Sequence, residues 1–100
     1  LSFDYPKPEV EKEIVIKESG VESEVAQKLV TIASEIRNLS ENDIQEAVST
    51  RLLVYAAKLI TRGFNPYDAC MHSIVESLSD EEEVLDALEK LISLHFIKDK

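Results

Sequence analysis

Ser49-Thr50-Arg51-Leu52-Leu53-Val54-Tyr55-Ala56-Ala57-Lys58-Leu59-Ile60-Thr61-Arg62-Gly63 reads as one capped amphipathic helix, and the rest of the chain can be ordered around it. Ser49 offers a hydroxyl to the free backbone N–H groups of a first turn. Gly63 stands just past the last periodic residue, where a helix can end with positive φ at little cost. Leu52, Leu53, Ala56, Ala57, Leu59 and Ile60 recur at helical spacing and predict a wide buried face. Arg51, Tyr55, Lys58 and Arg62 follow at intervals of four, three and four, which aligns them on another face. From Ala47 to Tyr67 there is no Asp or Glu, although the 100-residue chain carries a net charge of −9. This helix is the one basic island.

The flanks predict four more helices. Pro8 to Ser19 has a proline in its first turn, Glu9 and Glu11 at its positive end and Gly20 as a terminator. Val10 and Ile14, with Lys17, are expected to define its inner face. In Val21 to Leu39, the positions Val25, Leu29, Ile32, Ala33 and Ile36 form a second stripe, with Arg37 at the negative end. Asn38 to Val48 lacks a period, and Ile44 and Val48 are expected to anchor it. Asn65-Pro66-Tyr67-Asp68 is a helix start, with an Asn cap, Pro at the first position and Asp68 reaching back. It leads a helix to about Leu78 that buries Ala69, Cys70, Ile74 and Leu78. Ser79 to Glu83 opens the last helix with three carboxylates in its first turn, and Val84, Leu85, Leu88, Leu91, Ile92 and Leu94 supply its stripe up to about Phe96. The expectation is an all-α bundle of about five helices over residues 8–100, preceded by a short extended segment at residues 1–7.

Composition removes several function classes. A strongly acidic chain lacks the footprint needed to displace counterions from nucleic-acid phosphates. No apolar run approaches membrane-spanning length, and the first residues lack the basic and apolar regions of a signal peptide. One cysteine excludes an internal disulfide framework and fits a reducing, cytoplasmic setting. Cys70-Met71-His72 places two metal-ligand types two residues apart on a helix, where they do not converge on one ion, so no metal site is assigned.

Arg51 is the residue that asks for an explanation. A cation in a first turn opposes the helix dipole, at a cost of about 0.3–1 kcal/mol when exposed. One account pairs it with Glu46 or Asp43 just upstream. The other uses its guanidinium, together with unpaired first-turn N–H groups, to hold a phosphate or carboxylate. Lys58 and Arg62 suit the negative half of the helix, where their stems can cover apolar surface. Tyr55 is expected in the core with its hydroxyl at the rim, the alternative being a ring stacked on a ligand.

At these residues the chain resembles a family. A-V-S-T-R-L-L-V-Y-A-A-K-L-I-T-R-G at Ala47 to Gly63 is similar to the C-terminal region of the CbbQ/NirQ/NorQ branch of MoxR-type AAA+ ATPases. F-D-Y-P-K-P-E-V-E at Phe3 to Glu11, I-V-I-K-E-S-G-V at Ile14 to Val21 and I-R-N-L at Ile36 to Leu39 extend the match. P-Y-D-A-C at Pro66 to Cys70 and L-S-D-E-E-E-V-L-D-A-L at Leu78 to Leu88 complete it, so nearly the whole chain is covered in order. Ala47 departs from the glycine often found before V-S-T-R.

The resemblance implies that the chain is the helical lid that follows an α/β nucleotide-binding core, with residues 1–7 the end of that core. It implies that Ser49, Thr50 and Arg51 belong to the nucleotide site, with Arg51 acting as sensor 2 toward the γ-phosphate of ATP, bound with Mg²⁺. It also implies a homo-hexameric parent that remodels a metalloenzyme client of the Rubisco or nitric oxide reductase type. These 100 residues contain no G-x-x-x-x-G-K-[ST] phosphate loop and no acidic strand end for Mg²⁺. The expectation is therefore a piece of a longer ATPase that neither binds ATP tightly nor hydrolyses it alone. The competing expectation is a stand-alone acidic helical module that binds another protein.

Overall fold

Ser49 and Asn65 at helix starts, and Gly20 and Gly63 at helix ends, supply chemistry for exposed backbone groups. A computed structural model describes residues 7–39, 49–75 and 82–96. Among them run α1 (Pro8–Ser19), α2 (Ser23–Leu39), α3 (Thr50–Thr61), α4 (Pro66–Cys70, prolonged by a π-helical turn at Met71–Val75) and α5 (Glu82–Ser93). No strand occurs among the described residues. The all-α bundle read from the sequence is the architecture observed. Of the expected extended segment only Lys7 is described, and its backbone is extended. Ile44, Val48, Leu78 and the Ser79–Glu81 cap fall outside the described residues.

Ser49 accepts from the Leu52 N–H through its hydroxyl oxygen at 3.4 Å, while its carbonyl accepts from Leu52 and Leu53. At the other end of α3, Gly63 N–H donates to Ile60 O at 3.0 Å and Phe64 N–H to Leu59 O at 3.1 Å. These are the paired bonds of a Schellman ending, and Gly63 adopts the φ of 107° that the motif requires. Asn65 Oδ1 accepts from Tyr67 N–H at 2.9 Å and Asp68 N–H at 3.3 Å, capping α4. The return bond expected from Asp68 is not made among the described residues.

Leu29, Ile32, Ala33 and Ile36 of α2 meet Leu53, Ala56 and Ala57 of α3 in one core, closed by Cys70 of α4, by Ile74 and Val75 of its π-helical turn, and by Leu88, Leu91, Ile92 and Phe96. The two small residues on α3 let neighbouring backbones approach closely, which is why so short a helix can touch α1, α2 and α4 together. The last turn, Leu94–Phe96, folds back on α2: His95 Nε2 lies 2.9 Å from Glu35 Oε1, and Lys28 Nζ stands 5.6 Å from the Phe96 ring centre.

Three expectations about faces are corrected. The inner face of α1 is Glu11 and Val15, whereas Val10 is exposed. Tyr55 is 47% exposed and not a core residue, because it shares the outer face with Arg51 and Lys58. Leu94 is 81% exposed, since α5 ends at Ser93 and the chain leaves the helical register.

Glu11 is only 1% exposed, and Arg37 at the end of α2 meets it with both guanidinium nitrogens, Nη1 to Oε1 at 3.0 Å and Nη2 to Oε2 at 2.9 Å. The Thr50 hydroxyl donates to the same Oε2 at 2.8 Å. A buried carboxylate deprived of its cation is strongly destabilising, whereas an apolar replacement of both partners is often near neutral. Arg37→Ala is therefore expected to cost roughly 3–5 kcal/mol of unfolding free energy in urea titrations. Glu11→Leu combined with Arg37→Met is expected to recover most of that loss.

Candidate functional site

The first turn of α3 gathers the three residues singled out in the sequence, but they do different jobs. The Ser49 hydroxyl is used as the helix cap, and the Thr50 hydroxyl turns inward to Glu11. Arg51 turns outward, is exposed, and makes no ion pair with any described residue. With the carbonyl of Ser49 serving Leu52 and Leu53, the N–H groups of Thr50 and Arg51 have no partner inside the helix. Two backbone donors and one guanidinium thus stand together at the positive end of a helix dipole. That set suits a phosphate oxygen, with Arg51 able to present two donors at once.

Tyr55, Lys58 and Arg62 continue the exposed face of α3. They share the acid-free stretch with Arg51, so the charge along this helix is uniformly positive. The Glu46 and Asp43 partners considered for Arg51 lie outside the described residues. Shallow depressions of about 290 Å³ flank α1 and α2 at Pro8 and Gln27, and neither includes Arg51.

Sequence reasoning missed Glu11 and Arg37 as parts of this region. Glu11 had been expected merely to complement the start of α1, and Arg37 the end of α2. The available signal was spacing: Glu11 precedes Val15 by four, which sets both on the same helical face. A buried carboxylate on that face then demands a cation from a neighbouring element.

Cys70 and His72 do not share a face, one being buried and the other exposed. Burial pushes the Cys70 thiol up to about 12 from an ordinary 9. Tyr67 is raised to about 12 from 10, first by burial and then by its 2.7 Å donation to Glu89 Oε2, which favours the protonated phenol. No group of three or more His, Cys, Asp or Glu residues gathers among the described residues. No described helix is long and apolar enough to cross a membrane.

A model of the CbbQ/NirQ/NorQ C-terminal family matches residues 11–95, from the buried glutamate to the turn that docks on α2. The chain belongs to this family. Among curated relatives, Protein CbbQ of Hydrogenophilus thermoluteolus is 47% identical over 88% of this chain and 33% of its own length. Protein NorQ of Paracoccus denitrificans is 43% identical over 96% of this chain and 36% of its own. Denitrification regulatory protein NirQ of Pseudomonas aeruginosa is 41% identical over 95% of this chain and 36% of its own. The chain thus spans about a third of the length of these CbbQ, NorQ and NirQ relatives.

The Tyr67 shift sets an alkaline limit. The folded state holds the phenolic proton more tightly, so the contribution is complete below pH about 10 and is lost as pH rises through about 12. Two units correspond to roughly 2–3 kcal/mol. The stability difference between the wild type and Tyr67→Phe, measured by urea unfolding from pH 9 to 12, is expected to shift by about that amount against the wild type. In the folded protein at pH 8, Cys70 is expected to resist iodoacetamide and to react only once urea unfolds the chain.

Proposed function

We propose that this domain is the nucleotide-sensing lid of an AAA+ ATPase of the MoxR class, with Arg51 as sensor 2 toward the γ-phosphate of ATP. The observation that carries the reading is the orientation at the start of α3. Ser49 and Thr50 spend their hydroxyls inside the lid, and the guanidinium between them and the first apolar residues is left outside. Ser49 and Thr50 contribute to the site through the helix start they build, and Thr50 through its backbone N–H.

ATP supplies the charge that distinguishes the two states of such a cycle. Its terminal phosphate offers oxygens for Arg51 and the helix start, and those contacts vanish when that phosphate leaves. A ligand shifts a domain equilibrium only through its different contacts with the two arrangements. Arg51 is a contact of that kind, and the domain would reorient against its core as a hinge-borne body. The remaining phosphate ligands, Mg²⁺ and the attacking water would be held by an N-terminal core of the same protein, since the phosphate-loop pattern is not in these 100 residues.

The parent would be a cytoplasmic homo-hexamer that uses hydrolysis to remodel a metalloenzyme client. The similarity to a denitrification regulatory protein favours a client of the nitric oxide reductase type, with a Rubisco-type client the alternative that the family resemblance implies.

One charge-assisted contact to phosphate is worth about 1.5–3 kcal/mol, or roughly 10–100-fold. Arg51→Ala in the full-length protein is expected to lower ATP turnover by about that factor, with the helical circular-dichroism spectrum unchanged. Turnover and assembly equal to wild type would overturn the assignment.

A further inference from the structure

The Thr50 hydroxyl does nothing for the capping of α3, which Ser49 already performs. It is spent on Glu11, a residue 39 positions earlier in another helix. Glu11 in turn is held from two sides. It is 1% exposed, held at both oxygens by Arg37, and Arg37 is itself only 11% exposed. Thr50 is the first residue of α3 and the immediate neighbour of Arg51. Its bond therefore fixes the rotation of the helix start against α1 and α2, and with it the direction in which the next side chain leaves.

We propose that Thr50 is a positioning residue for Arg51, and that the Glu11–Arg37 pair is the fixed seat against which Thr50 aims it. This inference rests on the nucleotide-sensing role assigned to Arg51 above. An aimed guanidinium pays less ordering cost when it meets a phosphate, and small angular errors matter most in the reacting geometry. The consequence is specific. Loss of the Thr50 hydroxyl should disturb turnover more than nucleotide binding, because the core supplies most of the binding.

Among the described residues, the helix start has few other restraints of this kind. Arg51 forms no ion pair with a described residue, and Lys58 and Arg62 further along α3 are likewise exposed. Among the described residues, the first turn is oriented from beneath, by the polar seat and the packing of Leu53, rather than by contacts of Arg51 itself.

The test uses the full-length ATPase and four variants: Thr50→Val, Thr50→Ser, Arg51→Ala and Thr50→Val with Arg51→Ala. Valine keeps the shape of threonine and removes only the donor, so folding is retained and is checked by thermal melting. Thr50→Val is expected to lower kcat about three- to tenfold, the range one lost hydrogen bond allows, with a smaller rise in KM for ATP. Thr50→Ser restores kcat to within about twofold. In the Arg51→Ala background, adding Thr50→Val has no further effect beyond about twofold, since the two act through one group. A purely structural threonine would instead lower kcat equally in both backgrounds, which overturns the inference. Normal kcat in Thr50→Val with impaired Arg51→Ala also overturns it while leaving the role of Arg51 intact. Normal kcat in both overturns the role of Arg51 first.

Discussion

Glu11 is a carboxylate taken out of water, and three helices are arranged by the need to match it. Moving such a group into the interior costs several kcal/mol, which a neighbouring cation offsets only when its geometry is good. Here the geometry is a parallel pair of bonds to Arg37 at 3.0 and 2.9 Å, with the Thr50 hydroxyl at 2.8 Å closing the set. Glu11 lies at the positive start of α1 and Arg37 at the negative end of α2, so both charges also favour their own helices. An apolar contact tolerates sliding and rotation, whereas this one does not. It sets the rotation of α1 on α2 and presents a fixed acceptor to α3.

The electrostatic character of α3 follows from that arrangement. Acidic groups outnumber basic ones across the chain, yet no acid occurs from Ala47 to Tyr67. Among the described residues, the one acid that bonds to the start of α3 is Glu11, and Arg37 already neutralises it. The outer face is left with Arg51, Lys58 and Arg62 exposed to whatever anion approaches. A helix that ends in a Schellman motif and begins at a capped serine is a stiff support for such groups. Stiffness would serve the proposed sensing role, because a movable side chain on a movable turn reports little.

Much of this was legible in the chain because it depends on local chemistry. The bounds of α1, the Ser49 and Asn65 caps and the glycine endings at Gly20 and Gly63 each follow from one or two residues and their neighbours. The core faces of α2 and α3 follow from spacing alone. What stayed hidden depends on where elements sit relative to one another. A glutamate in a first turn looks the same whether it merely complements a dipole or is buried on an arginine 26 residues away. Tyr55 reads as core by composition but lies on the outer face by angle. The π turn at Met71–Val75, with Ser73 donating to Ala69 O at 2.6 Å, is a change in hydrogen-bond register with no compositional mark. For the candidate site, the S-T-R motif pointed to the first turn of α3, where side-chain direction sets Arg51 apart from Ser49 and Thr50.

The central claim is that Arg51 distinguishes a nucleotide with a γ-phosphate from one without it. The direct measurement is the ratio of ADP to non-hydrolysable ATP dissociation constants, determined by calorimetry on the full-length protein and on Arg51→Ala. The account predicts that this ratio falls by about tenfold or more in the variant, through weaker binding of the ATP analogue with ADP affinity nearly unchanged. An equal ratio in the two proteins would contradict it.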